Sequence, residues 1–258
     1  MANTHKILQC EEHYTREFCQ ATVQLGFIRY RDDLIPDMYY HNYTLICDAM
    51  DETALLEFIA SEIACNKAAG KDFCLIRSLA PVSGTVLGKL LHVPKVSTAG
   101  YYTLDAAGVP SLNSTENCRV LRVDRPEMLG DLLRLDLEHD GEELGVAFCT
   151  KRVYRREKIY LADGGLNAYI CYSDGQPVGS CSMYIHGGTA KIEDFAVSPA
   201  YQRKGFGTAL LKALFEIALA QHVILFYLET DEDDTAKDMY QKIGFVKVGE
   251  LTDLMFDL

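Results

Sequence analysis

The stretch Gln202-Arg203-Lys204-Gly205-Phe206-Gly207 carries the clearest chemistry in the chain. It follows a short apolar strand ending at Val197 and leads straight into a helix from about Thr208. The first N–H groups of a helix have no intrahelical acceptor, and the helix dipole adds about half a positive charge there. A glycine turn feeding such a terminus is therefore an anion cradle. Gly205 and Gly207 let the backbone approach a bulky anion, and Arg203 and Lys204 add charge. A diphosphate-bearing ligand fits these residue types. Two common phosphate motifs do not fit: a nucleoside-triphosphate loop needs lysine after the glycine, and the dinucleotide fingerprint needs a third glycine where Leu210 stands.

A strand ending in valine, then Gln/Arg-x-x-Gly-x-Gly/Ala, resembles the coenzyme A signature of the GNAT family of N-acetyltransferases. Downstream, Asp233-Asp234-Thr235-Ala236-Lys237-Asp238-Met239-Tyr240 with Gly244-Phe245 is similar to that family's second motif. The resemblance covers roughly residues 116–258. It implies acetyl-CoA as co-substrate, no metal, and direct acetyl transfer to a primary amine in a ternary complex. The pyrophosphate would lie on Gln202, Arg203, Lys204, Gly205, Phe206, Gly207 and Thr208. The pantetheine arm would run along Phe195, Ala196 and Val197. Asp233 stands where the family has a coenzyme-contacting asparagine; helix capping is its alternative role.

Tyr240 matches the tyrosine that protonates the departing thiolate, a task for which a phenol of pKa about 10 is suited. Glu193 is the candidate base, on the same strand face as Lys191 and Phe195 by period-two alternation. Glu229 is the reserve, and water a third possibility. The alternative function is a catalytically silent acyl-CoA-binding protein with a regulatory or interaction role.

The elements that must position these groups alternate strand and helix, an α/β order. A strand over Cys118–Asp124 precedes a helix from Pro126 and a second helix near Glu142–Arg156 bearing a basic patch (Lys151, Arg152, Arg155, Arg156). A hairpin follows, Leu166–Tyr172 and Pro177–His186 around Asp174-Gly175. Then come strand Lys191–Val197, the helix from Thr208, strand Val223–Leu228, helix Thr235–Ile243 and a closing strand pair within Phe245–Leu258. The turn formers of Gly108–Glu116 suggest a boundary, giving domains 1–115 and 116–258. The helix from Thr208 is apolar on most sides, so it should pack on the sheet and on a second surface in the N-terminal half.

Thr53-Ala54-Leu55-Leu56 echoes Thr208-Ala209-Leu210-Leu211, between strand-like Met38–Cys47 and Phe73–Leu79. The expectation is a mixed-sheet GNAT fold behind a degenerate N-terminal half of related topology. The turn in that half carries Asp48, Asp51 and Glu52 and no glycine, so it would repel a pyrophosphate. A net charge of -12 over 258 residues opposes nucleic-acid binding. Nine scattered cysteines read as reduced core residues. With no signal peptide or membrane span in view, a cytoplasmic location and a small-molecule or peptide amine acceptor are expected.

Overall fold

The computed structural model describes residues 2–112, 115 and 117–258. Asn113, Ser114 and Glu116 of the expected boundary stretch lie outside the described residues. In chain order the elements are α1 (Ala2–Arg16), β1 (Gln20–Gln24), β2 (Phe27–Arg31), β3 (Tyr43–Ile46), α2 (Glu52–Ala68), β4 (Phe73–Ser78), α3 (Gly84–Leu87), β5 (Lys95–Asp105), β6 (Arg119–Arg122), α4 (Met128–Leu144), α5 (Val146–Arg155), α6 (Glu157–Tyr160), β7 (Leu166–Ser173), β8 (Gln176–His186), β9 (Thr189–Val197), α7 (Phe206–Leu219), β10 (Leu225–Asp231), α8 (Ala236–Ile243) and β11 (Val246–Asp257). Short 3-10 turns cover Tyr39–His41, Ala106–Ser111 and Pro199–Tyr201.

Two compact units emerge, and neither is continuous in sequence. The first holds Met1–Glu17, Tyr102–Glu229 and Asp238–Val248; the second holds Phe18–Tyr101, Thr230–Lys237 and Gly249–Leu258. A single cut between residues 115 and 116 is not where this division falls. The first helix docks on β8 and β9 of the first unit through Tyr14 on Tyr184 and His13 stacked on His186. The turn Ala106–Ser111 packs on α7. That turn is the second surface the apolar helix required.

In the first unit β6, β7, β8 and β9 pair antiparallel in order, and β10 joins β9 in parallel. The continuous apolar run Leu225–Leu228 is fully buried, as a central parallel strand demands. Phe215 of α7 stacks at a tilt on Phe226, with ring centroids 4.5 Å apart, and lies 6.1 Å from Phe245. Helices α4 and α5 part at Gly145, whose φ of +80° stops the first helix. Two members of the basic patch expected there are paired, Arg152 with Asp136 and Asp140 and the buried Arg156 with Asp194.

In the second unit β1, β2 and β3 form an antiparallel meander, β3 and β4 run parallel, and β11 closes antiparallel on β4. Phe245–Leu258 thus holds one twelve-residue strand where a strand pair was expected. Met38–Cys47 was expected to be all strand, but Tyr39–His41 coils before β3. The echo at Thr53 lies on α2, between parallel β3 and β4, as α7 lies between parallel β9 and β10. Its core is Ile46, Ile59, Ile63, Cys74, Ile76, Leu254 and Phe256.

Of the nine cysteines, Cys118 and Cys171 are joined as a disulfide, which corrects the expectation that all are reduced. The β6–β7 pairing sets Val120 opposite Cys171 and so brings Cys118 close to it. Cys65 is exposed on α2, so it is not a core residue.

Buried charge also ties the second unit. Arg77 of β4 sits opposite Asp253 of β11, with Nε donating to Oδ1 at 2.9 Å, and both are buried. Asp253→Ala leaves the guanidinium without that carboxylate and should destabilise the protein by about 3 kcal/mol in urea titration. Val23→Ala, at an exposed edge position, should move it by less than about 0.5 kcal/mol.

Candidate active site

The site is built around an interruption in β9. Its pairing with β8 sets Ser182 opposite Glu193 and Ser180 opposite Ala196, so Asp194 and Phe195 together face the single residue Cys181. This is a β-bulge, and Asp194 adopts φ +49°, a left-handed conformation that aspartate tolerates better than most residues. An extra residue reverses the alternation. Glu193 and Ala196 share one face with Ser180 and Ser182, while Phe195 and Val197 face the other way, toward α7. Sequence alternation put Glu193 and Phe195 on one face; the bulge separates them.

The bulge is anchored from below. The Asp194 carboxylate pairs with the guanidinium of Arg156, which closes α5 and is buried. Arg156 Nη1 also donates to Tyr160 Oη at 3.3 Å, and Tyr160 Oη lies 3.0 Å from Ser182 Oγ. Burial alone would lower the Arg156 pKa, but Asp194 and Tyr160 outweigh it and hold it well above its ordinary value. Beside the bulge, the parallel ladder with β10 covers only Thr189–Ile192 against Leu225–Leu228. From Glu193 onward β9 is paired on its β8 side, and its other backbone edge runs on past the end of that ladder.

The glycine turn starts α7 at Phe206, two residues before the expected Thr208. Gly205 takes φ +87° at the helix cap, and no side chain caps the helix. The first helical turn closes with Ala209 N–H donating to Gly205 O at 2.9 Å, so the N–H groups of Phe206, Gly207 and Thr208 precede any intrahelical bond. Gly207 has a different reason to be glycine: a Cβ there would come within 3.0 Å of Phe195 Cζ and 3.4 Å of Val197 Cγ2. It lets α7 press onto the strand. The polar side chains of the turn are partly spent on the turn itself. Gln202 Nε2 donates to Val197 O at 3.1 Å, and Lys204 Nζ to Ala200 O at 2.8 Å. Arg203 contributes a left-handed residue, φ +60°.

In α2, by contrast, Asp51 Oδ1 accepts from Ala54 N–H at 2.9 Å. A carboxylate of the chain itself fills the place an anion would take.

Tyr240 is buried on α8, its ring edge-on to Phe195 at 6.2 Å and to Phe245 at 5.8 Å. The structure thus brings Tyr240, Phe195, Val197 and the start of α7 together. Asp233 belongs to the second unit, where its N–H donates to Asp231 Oδ1 at 2.8 Å. Asp234, not Asp233, caps the approach to α8, accepting from Ala236 N–H at 3.0 Å.

On the Glu193 face, Lys191 is buried with Nζ 2.8 Å from Glu11 Oε1 and 3.0 Å from Glu193 Oε2, and 4.3 Å from the Tyr14 ring centre. Burial pushes the Glu193 carboxyl up and Lys191 pulls it back; Asp194, Glu11 and Glu229 push it up further, to about 7. Oε2 is buried while about a third of the side chain, 32%, stays exposed. Glu11, Asp194 and Arg156 had no motif to mark them, since their partners lie far off in the chain.

A carboxyl pushed up to about 7, a strand edge that outruns its ladder and an uncapped helix start all belong to the first unit. Residues 132–245 match the family model described as Acetyltransferase (GNAT) family, and the chain carries a domain of that family there. It is 25% identical over 236 residues to the uncharacterized N-acetyltransferase CgeE of Bacillus subtilis (strain 168), covering 84% of this chain and 85% of that protein. Among solved structures, a functionally unknown conserved protein from Staphylococcus epidermidis ATCC 12228 superposes with a TM-score of 0.79 at 18% identity over 92% of each chain. A GCN5-related N-acetyltransferase from Kribbella flavida gives 0.72 at 14% identity over 97% of this chain and 94% of that one. The fold is the GNAT α/β fold.

Asp194→Ala removes the partner of a buried guanidinium and the residue type suited to the left-handed bend. It should lose about 3 kcal/mol of stability by urea denaturation. Asp194→Asn keeps an acceptor and the tolerance for φ > 0, and should lose markedly less.

Proposed function

We propose that the chain is an acetyl-CoA-dependent N-acetyltransferase acting on a primary amine, small molecule or peptide, by direct attack in a ternary complex. The observation that carries this reading is the bulge. It leaves the Phe195–Val197 backbone edge beyond the β10 ladder, aims Phe195 and Val197 at the start of α7, and leaves Glu193 on the opposite face. A thioester held along that edge, with its pyrophosphate at the N–H groups of Phe206, Gly207 and Thr208, meets the chain's own donors. The amine gives its proton to Glu193, and its nitrogen bonds to the thioester carbonyl carbon. The C–S bond then breaks, and the thiolate takes the Tyr240 phenol proton. The products are an acetamide and free coenzyme A.

The glycine turn, with its uncapped helix start, supports anion binding. Thiol release from acetyl-CoA across a panel of amines, polyamines, aminoglycosides and peptides tests the reading. Binding of acetyl-CoA without turnover on any acceptor would favour a silent acyl-CoA-binding protein instead.

Tyr240→Phe should lower kcat by about 10²-fold with the fold retained; an unchanged kcat removes Tyr240 from the mechanism. The active form of Glu193 is the carboxylate, so activity should be lost as pH falls through about 7. In Glu193→Gln that acid limb of the kcat/KM profile should vanish, with a loss of roughly 10²-fold or more.

A further inference from the structure

Glu11 lies on the first helix, more than a hundred and eighty residues from Glu193, yet the two carboxylates share one buried ammonium. Lys191 Nζ reaches Glu11 Oε1 and Oε2 at 2.8 and 2.9 Å and Glu193 Oε2 at 3.0 Å. The Tyr14 ring, one helical turn from Glu11, closes the third side. A lysine with almost no exposure has no water to share, so its charge is divided between the acids that touch it. Burial would lower its pKa, but Glu11 and then Glu193 hold it well above the ordinary value, so it stays charged across the working range.

From this geometry we infer that Glu11 and Lys191 are positioning residues that set the basicity of Glu193, so the N-terminal helix is a working part of the acid–base group. This rests on the reading of Glu193 as the base. A negative charge on Glu11 draws the ammonium toward itself and leaves Glu193 readier to take a proton. The other groups facing Glu193 are constant over the same range or act in one direction. Tyr14 on α1 is held neutral by burial and by Glu193 itself. Asp194 on β9 is paired with Arg156 beside Tyr160 of α6, Cys181 on β8 is kept a thiol by burial, and Glu229 on β10 adds negative field.

The two substitutions should move Glu193 in opposite directions, which mere damage to packing would not do. Carboxyl-labelled glutamate NMR, with the Glu193 signal assigned by its absence in Glu193→Gln, reads the titration without any substrate. Glu11→Gln removes a negative charge and should lower the Glu193 midpoint. Lys191→Met removes the cation and should raise it, each by roughly one unit or more. The acid limb of kcat/KM should shift with the same signs in both variants. Midpoints that stay in place in Glu11→Gln, which keeps the shape of the side chain, overturn the inference whether or not Lys191→Met folds. Midpoints that shift by NMR while the acid limb stays fixed in all variants, Glu193→Gln included, overturn the role of Glu193 as base. That outcome leaves the electrostatic coupling standing.

Discussion

The pairing of Asp194 with Arg156 at the β9 bulge is the constraint on which the site depends. A continuous ladder would satisfy the backbone of Glu193–Val197 on both edges and keep Phe195 on the Glu193 face. One extra residue breaks that ladder, and a buried guanidinium fixes where it breaks. The parallel strand β10 then follows β9 only as far as Ile192. The chemistry assigned to Glu193 on one face and to the Phe195–Val197 edge on the other needs this local reversal of alternation.

The two halves of the molecule show how little separates an uncapped helix terminus from a filled one. Helices α2 and α7 both follow a strand and precede a parallel partner. In α2 the first turn is closed by its own Asp51; in α7 a left-handed Gly205 leaves the terminus without a side-chain cap. The same helix dipole thus meets a carboxylate of the chain in one case and no side-chain cap in the other. Gly207 meets a separate demand, the close contact of α7 with Phe195 and Val197.

The first helix adds charge where the family motifs place none. Glu11, Lys191 and Glu193 form an acid–base–acid chain around a buried ammonium, and burial of Lys191 makes its charge depend on the two carboxylates far more than on solvent. Among the described residues no helix is long and apolar enough to cross a membrane.

Much of this was legible in local spacing. The strand–glycine turn–helix order, the hairpin at Asp174-Gly175, the second motif around Tyr240 and the α/β class all follow from residues close together in the chain, because turns, caps and periodicity are short-range effects. The carboxylates at Asp48, Asp51 and Glu52 likewise announced a terminus that would repel an anion. What spacing could not supply were the relations between distant segments. The β9 bulge depends on Arg156, thirty-eight residues away, so period-two counting carried Phe195 to the wrong face. The Cys118–Cys171 link needs the β6–β7 pairing, Arg152 and Arg156 of the basic patch pair with carboxylates on α4 and β9, and Glu11 meets Lys191 only after α1 docks. Motif chemistry is written in neighbours; protonation, face and pairing are decided by burial, which exists only once the chain has folded.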